Sequence, residues 1–125
     1  MRSTLLIAVI ATTSLAAEDD SESRWRRLFG SISGGYELLR GVEPDNASRL
    51  ELAPGAVYVW GRPQQQGSTY GTVYVWTHEG TAEAVACFWR YVNPAGERAV
   101  VHELHSLSPM KIHSEGEFDT WQARS

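Results

Sequence analysis

The 125-residue chain has room for one domain. Fifteen acidic residues against eleven basic ones leave a formal charge of −4. That excludes the basic footprint nucleic acid requires and leaves no polybasic stretch for an anionic membrane. Cys87 is the one cysteine, so no internal disulfide can form and stability must come from core burial.

Residues 1–17, MRSTLLIAVIATTSLAA, hold one basic residue, Arg2, then an apolar run from Leu5 to Ile10. Small residues follow, with Ser14 and Ala16 spaced as a signal peptidase needs, and then the acidic patch Glu18, Asp19, Asp20. This is the pattern of a secretory signal peptide. The run is too short to span a bilayer comfortably. The alternative is an uncleaved N-terminal anchor; no cysteine follows that would carry a bacterial lipid. The expected organisation is therefore a signal peptide over 1–17, a disordered linker over 18–23 and one domain over 24–125. The protein is expected to be secreted or periplasmic, with no membrane attachment after cleavage.

SESRWRRLFGSI places Trp25, Leu28, Phe29 and Ile32 at helical spacing. Ser21 or Ser23 can cap this helix, and Gly34-Gly35 ends it. YELLR reads as a second short helical piece, stopped by Gly41 and Pro44. GVEPDNAS is a loop, in which Asn46-Ala47-Ser48 is a glycosylation sequon only in a glycosylating host.

From Leu50 the pattern changes to strands, and G-x-V-Y-V-W is written twice, at Gly55 and at Gly71. RLELAPGAVYVW holds one strand, or two short ones broken at Pro54-Gly55. GRPQQQGSTY is a long connection for a hairpin. GTVYVWT, TAEAVACFWRYV and ERAVVHELHSL are further strands. MKIHSEGEFDTWQARS begins with a strand, turns at Glu115-Gly116 and enters another that stops abruptly, as expected of a domain truncated at its C-terminus. The fold class expected is α+β: an N-terminal helix packed on a four- to five-stranded antiparallel meander.

Turn chemistry sets which side chains share a face. Asn93-Pro94-Ala95-Gly96 has type I preferences. As a four-residue loop it pairs Cys87 with His102 and Ala84 with His105. A three-residue loop, His78-Glu79-Gly80, with a G1 bulge pairs Val73 with Val85. These registers put Tyr74 and Trp76 on one face with Phe88, Arg90, Glu103 and His105. Tyr58 and Trp60, at the equivalent places in the first repeat, are expected to point the same way.

That face offers two kinds of site. Tyr58, Trp60, Tyr74, Trp76, Phe88 and Arg90 are candidate ligand-binding residues, because flat rings stack on sugars or wall a pocket. The alternative is that the helix covers them, the common solution for such layers. Glu103 and His105 are candidate catalytic residues, an acid–base pair that His113 or His78 would extend to a metal site. HELH is not the helical HExxH of zinc proteases, however. Ser106 and Ser108 lack the glycine context of a nucleophile elbow, and Cys87 in its apolar run has no thiolate-stabilising neighbour. No phosphate loop, CxxC pair or calcium loop is present, so no metal and no cofactor is implied. The leading expectation is a non-catalytic module binding a small molecule, a carbohydrate or a protein partner. A hydrolase-type enzyme using Glu103 and His105, and a structural module of a larger envelope protein, are the alternatives.

Three motifs carry a resemblance: W-x-x-P at Trp60 to Pro63, G-x-V-x-x-W-T at Gly71 to Thr77, and H-E-x-x-S-L at His102 to Leu107. Together, over Leu50 to Pro109, they resemble a family of uncharacterised secreted bacterial proteins. The resemblance implies secretion, a sheet domain and a longer chain, and it transfers no activity and no catalytic residue. At the level of fold alone, the NTF2-like and cystatin-like domains, each a helix on a curved sheet, are analogues.

Overall fold

The computed structural model describes residues 3–8, 21–41, 47–62, 69–119 and 121–122. Ten elements follow in chain order: β1 (Ser3–Ala8), α1 (Glu22–Gly34), β2 (Tyr36–Arg40), β3 (Ser48–Arg49), β4 (Glu51–Leu52), β5 (Tyr58–Arg62), β6 (Thr69–His78), β7 (Thr81–Val92), β8 (Arg98–Ser106) and β9 (Ile112–Gly116). The signal cleavage region, the sequon's Asn46 and the glutamine-rich connection at 63–68 lie outside the described residues.

The expected α+β class holds. A large antiparallel sheet runs β1-β8-β7-β6-β4, and β5 also pairs with β6. β4 and β5 are thus two pieces of one edge, interrupted where Gly55 adopts φ 73°. A second sheet, β3-β2-β9, was not expected. YELLR forms its central strand rather than a helix, and the last strand pairs with YELLR instead of extending the meander. Five residues are too few to nucleate a helix on their own, so pairing with β9 decides their conformation.

Ser21, one of the two caps expected, is the N-cap of α1, its side chain accepting from the Arg24 amide, and the helix begins at Glu22. Gly35 closes the helix as expected. Trp25, Phe29 and Ile32 are buried, but Leu28 is exposed and Ser33 is buried in its stead.

One face of the large sheet is the core. It carries Tyr74, Trp76, Ala84, Ala86, Phe88, Val100 and Leu104. α1 covers part of it with Trp25, Phe29 and Ile32, and the small sheet brings Tyr36, Leu38, Leu50 and Ile112 to the same cluster, joined by Trp121. Ala84 and Ala86 are the small residues that admit the rings of Trp76 and Tyr74, their pairing partners. The opposite face of the large sheet carries Val73, Val75, Val85, Cys87, Trp89 and Tyr91, all half-buried.

β1 lies inside the segment that reads as a signal peptide. It pairs antiparallel with β8, from Ser3 opposite His105 to Ala8 opposite Val100.

Candidate functional site

Two turns decide the outcome for the expected site. The β6–β7 turn is the two-residue loop Glu79-Gly80, both left-handed at φ 51° and 82°, as a type I′ turn requires. Alone it would flip β6. A bulge at Glu83 adds back one residue, because Trp76 pairs with Ala84 while Thr77 pairs with Ala82. Tyr74 and Trp76 therefore share a face with Phe88, as expected, though by another route.

The β7–β8 turn fails the expectation. The Asn93–Gly96 turn does form, with the Gly96 amide bonding the Asn93 carbonyl at 2.9 Å. But Gly96 is left-handed, φ 82°, and Asn93 pairs with Glu97, its backbone N–H donating to the Glu97 carbonyl at 2.9 Å. The loop proper is three residues with the G1 bulge here, not in the preceding hairpin. Asn93 holds it by accepting from the Ala95 and Glu97 amides at 3.0 and 2.9 Å. The register moves by one residue: Cys87 faces Glu103, Val85 faces His105 and Phe88 faces His102. A one-residue slip exchanges faces. Glu103 and His105 consequently stand on the side of the sheet opposite Trp76, and the joint pocket expected of them is not formed.

The six expected ligand-binding residues also divide. Tyr74, Trp76, Phe88 and Arg90 are core, with Phe88 0% and Trp76 1% exposed. Arg90 lies between the rings of Trp25 and Tyr70, 5.4 and 5.6 Å from their centroids. Tyr58 and Trp60 are on the other side. β5 runs antiparallel to β6 with Tyr58 opposite Val73 and Trp60 opposite Gly71, so the two copies of the repeat present their rings to opposite faces.

Gly71 makes the outer arrangement possible. A Cβ there would lie 2.2–2.4 Å from the Trp60 indole, which rests directly on the Gly71 backbone. Across Gly71 on the far side is Trp89. The Trp60 and Trp89 ring centroids are 6.5 Å apart, and Trp89 and Tyr91 are 5.6 Å apart. With Arg62, Thr69 and Val92 these rings line an open groove of about 530 Å³. Sequence reasoning missed Trp89 and Tyr91. The signal was present in FWRY, where Phe88 and Trp89 cannot both face one core.

Glu103 and His105 share the groove's sheet face but do not line it, standing across from Cys87 and Val85; Nε2 of His105 is 2.9 Å from Oε1 of Glu103, and both are partly exposed. His78 and His113 instead lie near their own neighbours, Glu79 and Glu115. Among the described residues no three His, Cys, Asp or Glu side chains group as a metal site would need. Cys87 is half-buried opposite Glu103. Burial pushes its thiol up, Glu103 adds to this and a hydrogen bond from the Trp60 side chain opposes it, so it is held as a thiol and not as a nucleophilic thiolate. Ser106 is buried and accepts from the Ser108 amide at 3.3 Å, a local turn at the strand end.

The core holds a polar pair that sequence reasoning also missed. Nδ1 of His102 is 2.7 Å from the Tyr36 hydroxyl, and Nε2 is buried without a partner. Phe88 and Phe118 stand edge-on to the imidazole at 5.2 and 5.3 Å. Burial pushes the Tyr36 phenol well above its ordinary value and lowers His102 to about 4. Both groups are therefore neutral, and a single proton is shared along the line between the phenol oxygen and Nδ1 as one hydrogen bond.

Among the described residues no helix is long and apolar enough to cross a membrane. Comparison with protein-family models, with curated proteins and with solved structures found no match.

Proposed function

We propose that this chain is an exported, non-catalytic binding module whose ligand lies in the outer groove of Trp60, Trp89 and Tyr91. The observation that carries this reading is that these rings, each pair tilted by 47°, line a groove on the sheet face opposite the one that α1 and the small sheet cover among the described residues. Buried rings complete a core; a row of half-buried rings on the solvent side is a platform for flat faces of a ligand. Arg62, exposed at the groove's end, adds a cation that suits an acidic group. The ligand class is a carbohydrate, with acidic sugars preferred over neutral ones.

Titration with neutral and acidic oligosaccharides, followed by tryptophan fluorescence, tests this. A saturable change is expected, lost in Trp89→Ala and weakened for acidic sugars alone in Arg62→Ala. A flat response to the whole panel removes the reading.

A second reading rests on the 2.9 Å contact between Glu103 and His105. A carboxylate orienting an imidazole is half of an acid–base device. If the protein hydrolyses a substrate that reaches along this face from the groove to the pair, Glu103→Gln and His105→Ala each abolish turnover while leaving fluorescence titration intact. Activity that survives both substitutions excludes it.

A further inference from the structure

β8 is the penultimate strand of the large sheet only because β1 lies outside it. The two pair over six consecutive residues, Ser3 to Ala8 against His105 to Val100. The segment doing this, STLLIA, is also the apolar stretch of the N-terminal leader pattern. If the leader is removed on export, β8 becomes a bare edge, with half of its backbone N–H and C=O groups unpaired. That edge turns Val100, His102 and Leu104 to the core, and Val101, Glu103 and His105 to the opposite face, where the last two are partly exposed. Val100, Val101 and Leu104 are each no more than 2% exposed, and His102 is fully buried. An edge of that composition is a liability in water and a template for another strand.

The geometry points to the β8 edge, Val100–His105, as a strand-acceptor site. Its occupant after export is an extended apolar segment of a partner protein, added antiparallel as a new outer strand. β1 shows the chemistry that fits: six residues with no charge, no proline and no glycine, in register with β8 from end to end. Main-chain hydrogen bonds supply affinity in this mode, and alternate side chains supply selectivity. In the precursor the chain's own leader fills the site, which keeps the edge from pairing prematurely. The site is distinct from the aromatic groove, which lies on a face of β5, β6 and β7, whereas the acceptor is the edge of β8 turned away from β7. The inference rests on the leader reading of the proposed function and not on its choice of ligand.

The test uses the full chain with a protease site inserted between Ala8 and Ser21. After cleavage, a fluorescent peptide of the Ser3–Ala8 sequence with a solubilising lysine tail is added. The expected result is saturable exchange into the protein, read by anisotropy, with amide hydrogen exchange across Val100–His105 slow when peptide is present and fast when it is competed away. A peptide carrying Leu5→Pro and Leu6→Pro fails to bind, because consecutive residues alternate in pointing N–H groups toward β8 and proline removes both. Equal binding by the proline peptide, or no binding with Val100–His105 still protected, overturns the proposal. Dimers of the cleaved protein that exclude the peptide also overturn it, in favour of edge pairing between copies. The N-terminal mass of exported protein separately reports whether residues 1–17 are removed, so failure of the leader reading is distinguished from failure of the acceptor site.

Discussion

His102 sits where a charge cannot. It is fully buried, ringed by Tyr36, Phe88 and Phe118, and desolvation lowers it to about 4 from an ordinary 6.5. The unfolded chain takes up a proton near pH 6.5 and the folded one only near 4, so the unfolded state binds more protons between them. Stability is therefore level above about pH 7 and falls as the pH drops through that window, by about 3 kcal/mol at its lower end. Denaturant midpoints measured from pH 7.5 to 4 should show this slope, and His102→Asn, which keeps an acceptor for Tyr36 but does not titrate, should flatten it. Tyr36→Phe removes the partner of Nδ1 and strands it in the core, at a cost of about 1–3 kcal/mol. The sequence did not announce this pair. VVHEL looks like a strand with one polar interruption, and the distance of 66 residues between Tyr36 and His102 hides the contact.

At the level of elements, turns rather than strands limited what could be read. The helix was legible because Trp25, Phe29 and Ile32 repeat at helical spacing, and β6, β7 and β8 because they are long and rich in β-branched and aromatic residues. Their mutual register was not, since two glycines with the same left-handed backbone serve different turns. Gly80 completes a two-residue turn, whereas Gly96 completes a three-residue one. Only the Glu83 bulge, which no local residue preference marks, restores the first hairpin's faces. The bulge also turns Glu83 inward, its carboxylate 3.8 Å from Arg40 of β2 and its carbonyl bonded by the Leu107 amide at 2.9 Å. Gly96→Ala must hold a side chain at φ 82°. It should lose roughly 1–2 kcal/mol in thermal or denaturant unfolding without changing the fold. Gly71→Ala acts differently. Its backbone is unstrained, but the new methyl would occupy the place of the Trp60 indole, a rigid ring that must then leave. The expected outcome is red-shifted Trp60 emission and a lost groove, with the unfolding midpoint little changed.

At the scale of the molecule, α1 and the small sheet cover one face of the large sheet among the described residues, while the other carries the half-buried outer rings, and the repeated G-x-V-Y-V-W supplies rings to both. Trp76 and Tyr74 of the second copy are sealed under α1 and the small sheet, while Trp60 of the first copy lies outside with Trp89. The sequence could not divide these roles, because a repeat promises equivalence and the antiparallel pairing of its copies, Tyr58 against Val73, breaks it. Two substitutions of the same residue type should separate the roles. Trp76→Ala opens a cavity in the core and should cost about 3–5 kcal/mol of folding free energy. Trp89→Ala removes a ring that is only partly buried and should cost less, about 2 kcal/mol. For ligand binding the order reverses: Trp89→Ala should lose the fluorescence titration, and Trp76→Ala, assayed well below its lowered unfolding transition, should keep it. Measured together, the midpoints and the titrations form a cross. If both variants lose binding in proportion to lost stability, the outer rings are packing and not a platform. If Trp89→Ala alone abolishes the titration with a smaller midpoint loss than Trp76→Ala, the outer ring face is where the ligand lies.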